Sequence, residues 1–196
     1  MKKVNINELN LPTTSQLEFE LKREKYKSKY IQLLKNTLYV LLIVIALAIL
    51  SATLIFPVFQ ITGESMEPSL NKGEFVVSVK GNSFKSGDII AFYYNNRILV
   101  KRVIAVSSDV VNIDLDGNVY VNDELLMESY INEKKYGDVD IEFPYQVPEE
   151  SYFVLGDDRE NSVDSRNSLI GSIKGDEVIG RVVFRVWPFK NFGVVK

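Results

Sequence analysis

The chain has 196 residues, 23 Lys+Arg against 26 Asp+Glu, 46% hydrophobic residues and a mean hydropathy of -0.00, room for one modest domain and an added segment. It contains no Cys and no His, which excludes thiol proteases, Cys/His zinc sites, haem ligation by His and any Ser-His-Asp triad. Catalysis must then rest on Ser, Lys, Tyr or carboxylates, and without cysteine no disulfide marks the compartment.

Residues 1–35 form a polar arm. Ser15-Gln-Leu-Glu18 reads as a helix capping box, and Leu17, Leu21, Tyr30, Ile31 and Leu34 follow a loosely helical spacing, so the arm is expected to run into the next segment as one helix. Between Asn36 and Gly63 there is no Asp, Glu, Lys or Arg, and the 19 residues 38–56 are almost all Leu, Ile, Val and Ala. At about 1.5 Å per residue such a run spans about 29 Å, close to the roughly 30 Å of a hydrocarbon core, and Pro57 supplies a stop. A cleavable signal peptide would be shorter and closer to the N-terminus. A buried helix of a soluble protein is the other reading; the expected one is an uncleaved transmembrane anchor over 36–59.

Lys22, Arg23, Lys25, Lys27, Lys29 and Lys35 precede the span, whereas Glu64 and Glu67 are the first charges after it. The positive-inside rule therefore places the N-terminus in the cytoplasm and residues 60–196 outside it. Residues 36–196 carry 15 basic and 22 acidic side chains, net -7, with no basic stripe, which argues against a nucleic-acid partner.

From residue 60 onward, short apolar runs alternate with turn residues, the pattern of a mainly β, antiparallel domain. Candidate strands are 74–79, 88–94, 98–106, 109–115, 118–121, 152–155 and 178–187. Asp116-Gly117 is the stronger tight-hairpin signal and Asn122-Asp123 the weaker. Residues 129–150 read as a surface loop or extension. No crossover helix and no glycine-rich phosphate loop is present, so parallel nucleotide-binding folds do not fit.

Three constellations carry chemistry. Gly63-Glu-Ser65-Met-Glu-Pro68-Ser-Leu70 combines residues that force a sharp path with an exposed hydroxyl, either a plain turn or the seat of an acyl-transfer nucleophile. In Ile98-Leu-Val-Lys101-Arg102-Val-Ile-Ala-Val106, Lys101 shares a strand face with Leu99, Val103 and Ala105. An apolar face strips hydration from an ammonium, lowers its pKa and frees the amine to act as a base; a snorkelling edge lysine is the alternative. The polar run from Gly156 through Asp158, Asn161, Ser162, Asp164 and Arg166 to Ser168 is either a hydrated turn or a hydrogen-bonded scaffold. It is no calcium loop, since a frame starting at Asp158 puts Val163 where Gly is required and Leu169 where Glu is.

Taken in order, Ser65-Met66-Glu-Pro68-Ser-Leu70, Gly87-Asp88-Ile-Ile, Lys101-Arg102-Val-Ile and Gly156-Asp157-Asp158-Arg159-Glu-Asn161-Ser162-Val-Asp164-Ser165-Arg166 resemble the motifs of type I signal peptidases. Val147-Pro-Glu-Glu-Ser-Tyr-Phe-Val-Leu and Arg185-Val-Trp187-Pro188 extend the likeness over nearly everything from the span onward. The resemblance implies a domain of signal-peptidase type and a membrane-bound serine endopeptidase that removes signal peptides from exported preproteins, without cofactor or metal. Its partners would be such preproteins and membrane lipid, with the enzyme acting as a monomer.

By the same resemblance Ser65 is the nucleophile and Lys101 the neutral base, Ser162 orients the lysine, and Asp164 with Arg166 supports it as an ion pair. The oxyanion would lie on the Ser65 amide; Gly63 stands where some bacterial members carry a second hydroxyl donor. Ile61, Met66, Leu70, Leu99 and Val100 would line pockets for small residues at the substrate's -1 and -3 positions. Asp158 departs from the usual Asn, and 104–109 lacks the Pro-Gly that commonly follows the base motif. Lys101 in place of a His points to the prokaryotic type, and the short catalytic part with one anchor to Gram-positive enzymes. A competing expectation is a non-cleaving assembly or chaperone protein of the same fold, as in pilus biogenesis. A self-cleaving repressor relative would instead need a cytosolic DNA-binding module.

Overall fold

The structure is a computed structural model that describes residues 12–195; the first eleven residues of the expected arm, and the last residue, lie outside the described part. The chain divides into two compact units, residues 1–51 and 52–196. The first is a single helix, α1 (Thr14–Ile55), that unites arm and apolar run as expected. Its start lies two residues before the anticipated box: the Gln16 side chain accepts from the Thr13 amide at 2.9 Å. That arrangement is the Thr-x-x-Gln form of the same capping device. Leu, Ile and Val from Leu38 to Leu50 are exposed on every side of the helix, which suits a hydrocarbon surrounding, because the helix satisfies its own backbone groups. The helix ends at Ile55, two residues before Pro57.

The second unit is built of short antiparallel strands: β1 (Val58–Gln60), β2 (Phe75–Val79), β3 (Ile89–Tyr94), β4 (Arg97–Ala105), β5 (Val110–Ile113), β6 (Val119–Val121), β7 (Glu124–Leu125), β8 (Tyr145–Gln146), β9 (Ser151–Leu155), β10 (Ile173–Lys174), β11 (Val178–Trp187) and β12 (Gly193–Val194). Among the described residues they form two sheets. The larger runs β1-β2-β11-β3-β4-β9-β10, with β12 beside β11, and the smaller runs β7-β6-β5-β8. All seven expected strands are present: β11 has the expected bounds, β4 and β9 each begin one residue earlier, and the other four are shorter. The five that pattern reading passed over, β1, β7, β8, β10 and β12, have only two or three residues each, too short for an alternation to register.

Turn strength is the reverse of the expectation. Asn122 and Asp123 have φ of 53° and 66°, and Val121 pairs directly with Glu124, so the weaker signal makes the two-residue primed turn. Asn95-Asn96, at 44° and 62°, makes another between β3 and β4. Asp116-Gly117 instead sits in a five-residue loop, because the Asp114 carboxylate takes the amides of Asp116 and Asn118 at 3.0 and 2.8 Å and widens it.

Apolar side chains collect in three clusters. One holds Ile61, Met66, Leu70 and Val76 beneath the residues after β1; a second holds Phe92, Val103 and Val154 across β3, β4 and β9. The third joins the sheets through Ile104, Val111, Val119 and Phe153. Residues 129–150 lie at the surface, with Val147 the one buried residue, but several side chains pin them to the domain: Tyr136, Ile141 and Phe143 pack on the third cluster and Tyr145 opens β8. Phe153 is fully buried, with the rings of Phe143 and Tyr145 at 6.4 and 5.5 Å. Phe153→Ala is expected to cost about 3–5 kcal/mol, read as a lowered denaturation midpoint, and to loosen the 129–150 segment to proteolysis.

Candidate active site

The site forms where three stretches meet. Residues 61–74 bridge β1 and β2 and are closed at their base by Ile61 N to Glu74 O, 2.8 Å, and Gly73 N to Ile61 O, 2.7 Å. Met66 and Leu70 anchor the turn by burial, and Ser65, just before them, is half-buried. β4 lies between β3 and β9, but β9 covers it only from Arg102 to Ala105. The half that carries Leu99, Val100 and Lys101 is therefore paired on one side and open on the other. The polar run after β9 supplies the third stretch.

Lys101 is 3% exposed. Its Nζ lies 2.7 Å from Ser65 Oγ and 2.8 Å from Ser162 Oγ. The Ser162 hydroxyl donates to Asp164 Oδ2 at 2.7 Å, and Asp164 also accepts from Arg166 Nε and Nη2 at 2.8 and 2.9 Å and from the Gly156 amide at 3.0 Å. Burial pushes the Asp164 carboxyl upward, but the Arg166 hydrogen bonds and charge outweigh it and hold it below the usual carboxylate range. An ionised Asp164 fixes the direction of every proton here. Ser162 must donate to it, so Ser162 Oγ can only accept from Lys101, and the lone pair of a neutral Nζ is left facing the Ser65 hydroxyl.

Burial also drives Lys101 down from 10.5 to about 8, against the attraction of Asp164 and assisted by Arg166. Among the described residues no carboxylate hydrogen-bonds to Nζ directly; the Ser162 hydroxyl stands between it and Asp164. A substantial share of the amine is thus neutral near physiological pH, which is what a general base needs.

Gly156 is required by contact. A Cβ there would strike Ser162 Oγ, Ser162 Cβ and the Ser65 carbonyl oxygen. The next residues tie down the nucleophile: the Asp158 amide donates to the Ser65 carbonyl at 3.1 Å. The Asp158 side chain turns away and accepts from Asn161, so the departure from Asn at this position leaves the dyad geometry intact. The Ser65 amide donates to no group among the described residues. Gly63 is exposed, with nothing within 4 Å of an added Cβ.

A cavity of about 130 Å³ opens beside the pair, with Ile61, Gly63, Met66, Leu99 and Val100 in its wall next to Ser65 and Lys101. Leu70, expected there, is fully buried in the cluster beneath the turn and does not line it. Residue type alone did not reveal that difference, since Met66 and Leu70 lie one helical turn apart and are equally apolar.

The sequence reading overlooked a second set of groups. Arg102, pointing opposite to Lys101, holds Asp157 with Nε and Nη2 at 2.9 and 2.7 Å, and reaches Gly87 O at 2.9 Å and Ser69 Oγ at 3.0 Å. Arg159 reaches Gly156 O at 2.9 Å and pairs with buried Glu128. Arg102, Asp157 and Arg159 stand inside the quoted motifs, so position was a usable signal. Glu128 had none.

A model described as signal peptidase, peptidase S26, matches residues 34–187. The chain belongs to the signal peptidase family. A signal peptidase I of Bacillus amyloliquefaciens is 34% identical over 187 residues, spanning 90% of this chain and all of the relative. A signal peptidase IB of Staphylococcus aureus is 39% identical over 155 residues, 68% of this chain and 79% of the relative. The crystal structure of a signal peptidase I from Enterococcus faecalis is 31% identical, covers 52% of this chain and 98% of that one, and superposes with a TM-score of 0.45. With family membership comes the activity: the protein is a membrane-anchored serine endopeptidase that removes signal peptides.

Two outcomes follow from the charges. With Lys101 as the base, kcat/KM is expected to rise with pH, level off above about 8 and fall about tenfold per pH unit below it. Between about 8 and 10.5 the unfolded chain binds the lysine proton and the native one does not, so stability rises with pH across that window, and below it the buried charge costs about 3 kcal/mol. Lys101→Met should therefore abolish cleavage while leaving the melting temperature at pH 7 equal or higher. Asp164→Asn removes the charge that raises the lysine, so the activity limb should move below pH 8. It also strands buried Arg166, at about 3 kcal/mol or more of stability by denaturant titration.

Proposed function

We propose that Ser65 attacks the scissile carbonyl while Lys101 accepts its proton, and that the same amine then activates the water that releases the acyl-enzyme. The observation that carries this reading is the 2.7 Å contact between Ser65 Oγ and a buried Nζ whose lone pair has no other acceptor role. Ser162 and the Asp164–Arg166 pair are positioning groups. The Ser65 amide stabilises the oxyanion, with the backbone near Gly63 as the place for a second donor. The small cavity between the open edge of β4 and the residues after β1 suits an extended peptide lying as an added strand, with short side chains entering between Ile61, Met66, Leu99 and Val100.

The organisation that goes with this activity is a cytoplasmic basic arm over 1–35, an anchor over 36–59 embedded in lipid and an extracytoplasmic catalytic domain over 60–196, working as a monomer. Its support is the one-sided distribution of Lys and Arg before the span and the exposed apolar surface of α1. A non-cleaving assembly role has no comparable support, because both members of the dyad are present and in contact. The test is cleavage in membranes of a preprotein bearing an Ala-x-Ala site, by the intact enzyme and by Ser65→Ala. Processing at that bond is expected to vanish in the variant, and processing that persists would remove Ser65 from the mechanism.

A further inference from the structure

We propose that residues 128–137 are a positioning strap that holds the nucleophile against its base, an inference that rests on the assignment of Ser65 and Lys101 above. This stretch lies between β7 and β8, takes up no strand, and puts no residue into the wall of the small apolar cavity. It nevertheless touches all three arginines of the site. Glu128, buried, pairs with both terminal nitrogens of Arg159. The Tyr130 hydroxyl donates to Glu128 Oε1 at 2.9 Å, and the Tyr130 ring lies 3.9 Å from the guanidinium carbon of Arg102. The Tyr136 carbonyl accepts from Arg166 Nη1 at 2.8 Å. Gly137, at φ +71°, lets the chain pass so close to Arg166 that an added Cβ would strike its guanidinium and the Arg159 carbonyl.

The consequence falls on one short loop. Arg102 grips Asp157, and Arg159 grips the Gly156 carbonyl, so the residues on either side of Asp158 are fixed from the strap. Asp158 is the residue whose amide binds the Ser65 carbonyl. Buried ion pairs roughly break even in stability, so their concentration around a single loop is explained better by geometry than by fold energy. Proton transfer between Oγ and Nζ tolerates little displacement, and a misplacement of about 1 Å costs about 10²-fold in rate. Since the strap meets neither Ser65 nor Lys101, its contribution enters through kcat and not through substrate binding.

The test uses the full-length enzyme in detergent micelles with an Ala-x-Ala preprotein, comparing Glu128→Gln, Tyr130→Ala and Tyr130→Phe, each with its melting temperature. Glu128→Gln preserves shape, and Tyr130 is only half-buried, so truncation there leaves a second variant that folds. Expected are kcat values at least about tenfold down for Glu128→Gln and Tyr130→Ala, with KM within about twofold, and near-complete recovery in Tyr130→Phe, which keeps the ring on Arg102. Unchanged kcat in the folded variants overturns the proposal. So does a loss that only tracks the unfolded fraction, which marks a structural role, or a rise in KM at constant kcat, which marks substrate contact. Ser65→Ala is the separating control: cleavage surviving in it overturns the dyad itself and the strap with it, whereas an inactive Ser65→Ala beside fully active strap variants refutes the strap alone.

Discussion

The candidate site depends on Lys101 being held out of water with no carboxylate among the described residues bound to its amine. Had an acid hydrogen-bonded directly to Lys101 Nζ, the ammonium would have been stabilised and the base lost. The fold instead interposes the Ser162 hydroxyl, so that Asp164 lies one residue further from the amine and is neutralised by Arg166. Desolvation then prevails over attraction, and the pKa falls to about 8. The lysine of a Ser/Lys site is in this sense a destabilising residue kept for its reactivity.

Such a placement requires rigid surroundings, and these are electrostatic as much as apolar. Lys101 and Arg102 are neighbours on one strand and leave it on opposite faces, one toward serines, the other toward Asp157. Alternation in a β-strand makes this unavoidable, and the two neighbours place a buried amine beside the serines on one face and a guanidinium clamp on the other. β9 ends at Leu155, opposite Arg102, and so leaves the half of β4 before Arg102 open beside the cavity.

Glycine enters this scheme where chain must approach chain. Gly156 lets the polar run lie against Ser65 and Ser162, and Gly137 lets the small-sheet segment reach Arg166. Both sit at contacts between stretches distant in sequence, which is why the two sheets behave as one support for the site, although the nucleophile, the base and the polar run each arise from different connections.

By itself the sequence determined the broad chemistry. Absence of His and Cys left only Ser, Lys, Tyr and carboxylates; the uncharged run fixed an apolar helix; alternation located the longer strands; and motif order tied Ser65, Lys101, Ser162, Asp164 and Arg166 together. These are properties of composition and local period, which the linear chain states outright. Tertiary structure alone decided the rest: that Leu70 is core and not pocket wall, that Asn122-Asp123 makes the tighter turn, that residues 129–150 are packed, and that Glu128 and Tyr130 stand on the site's arginines. Each of these is set by which distant segment arrives opposite a residue, through burial, an intruding carboxylate or a long-range ion pair, and no period or propensity of the chain encodes that arrival.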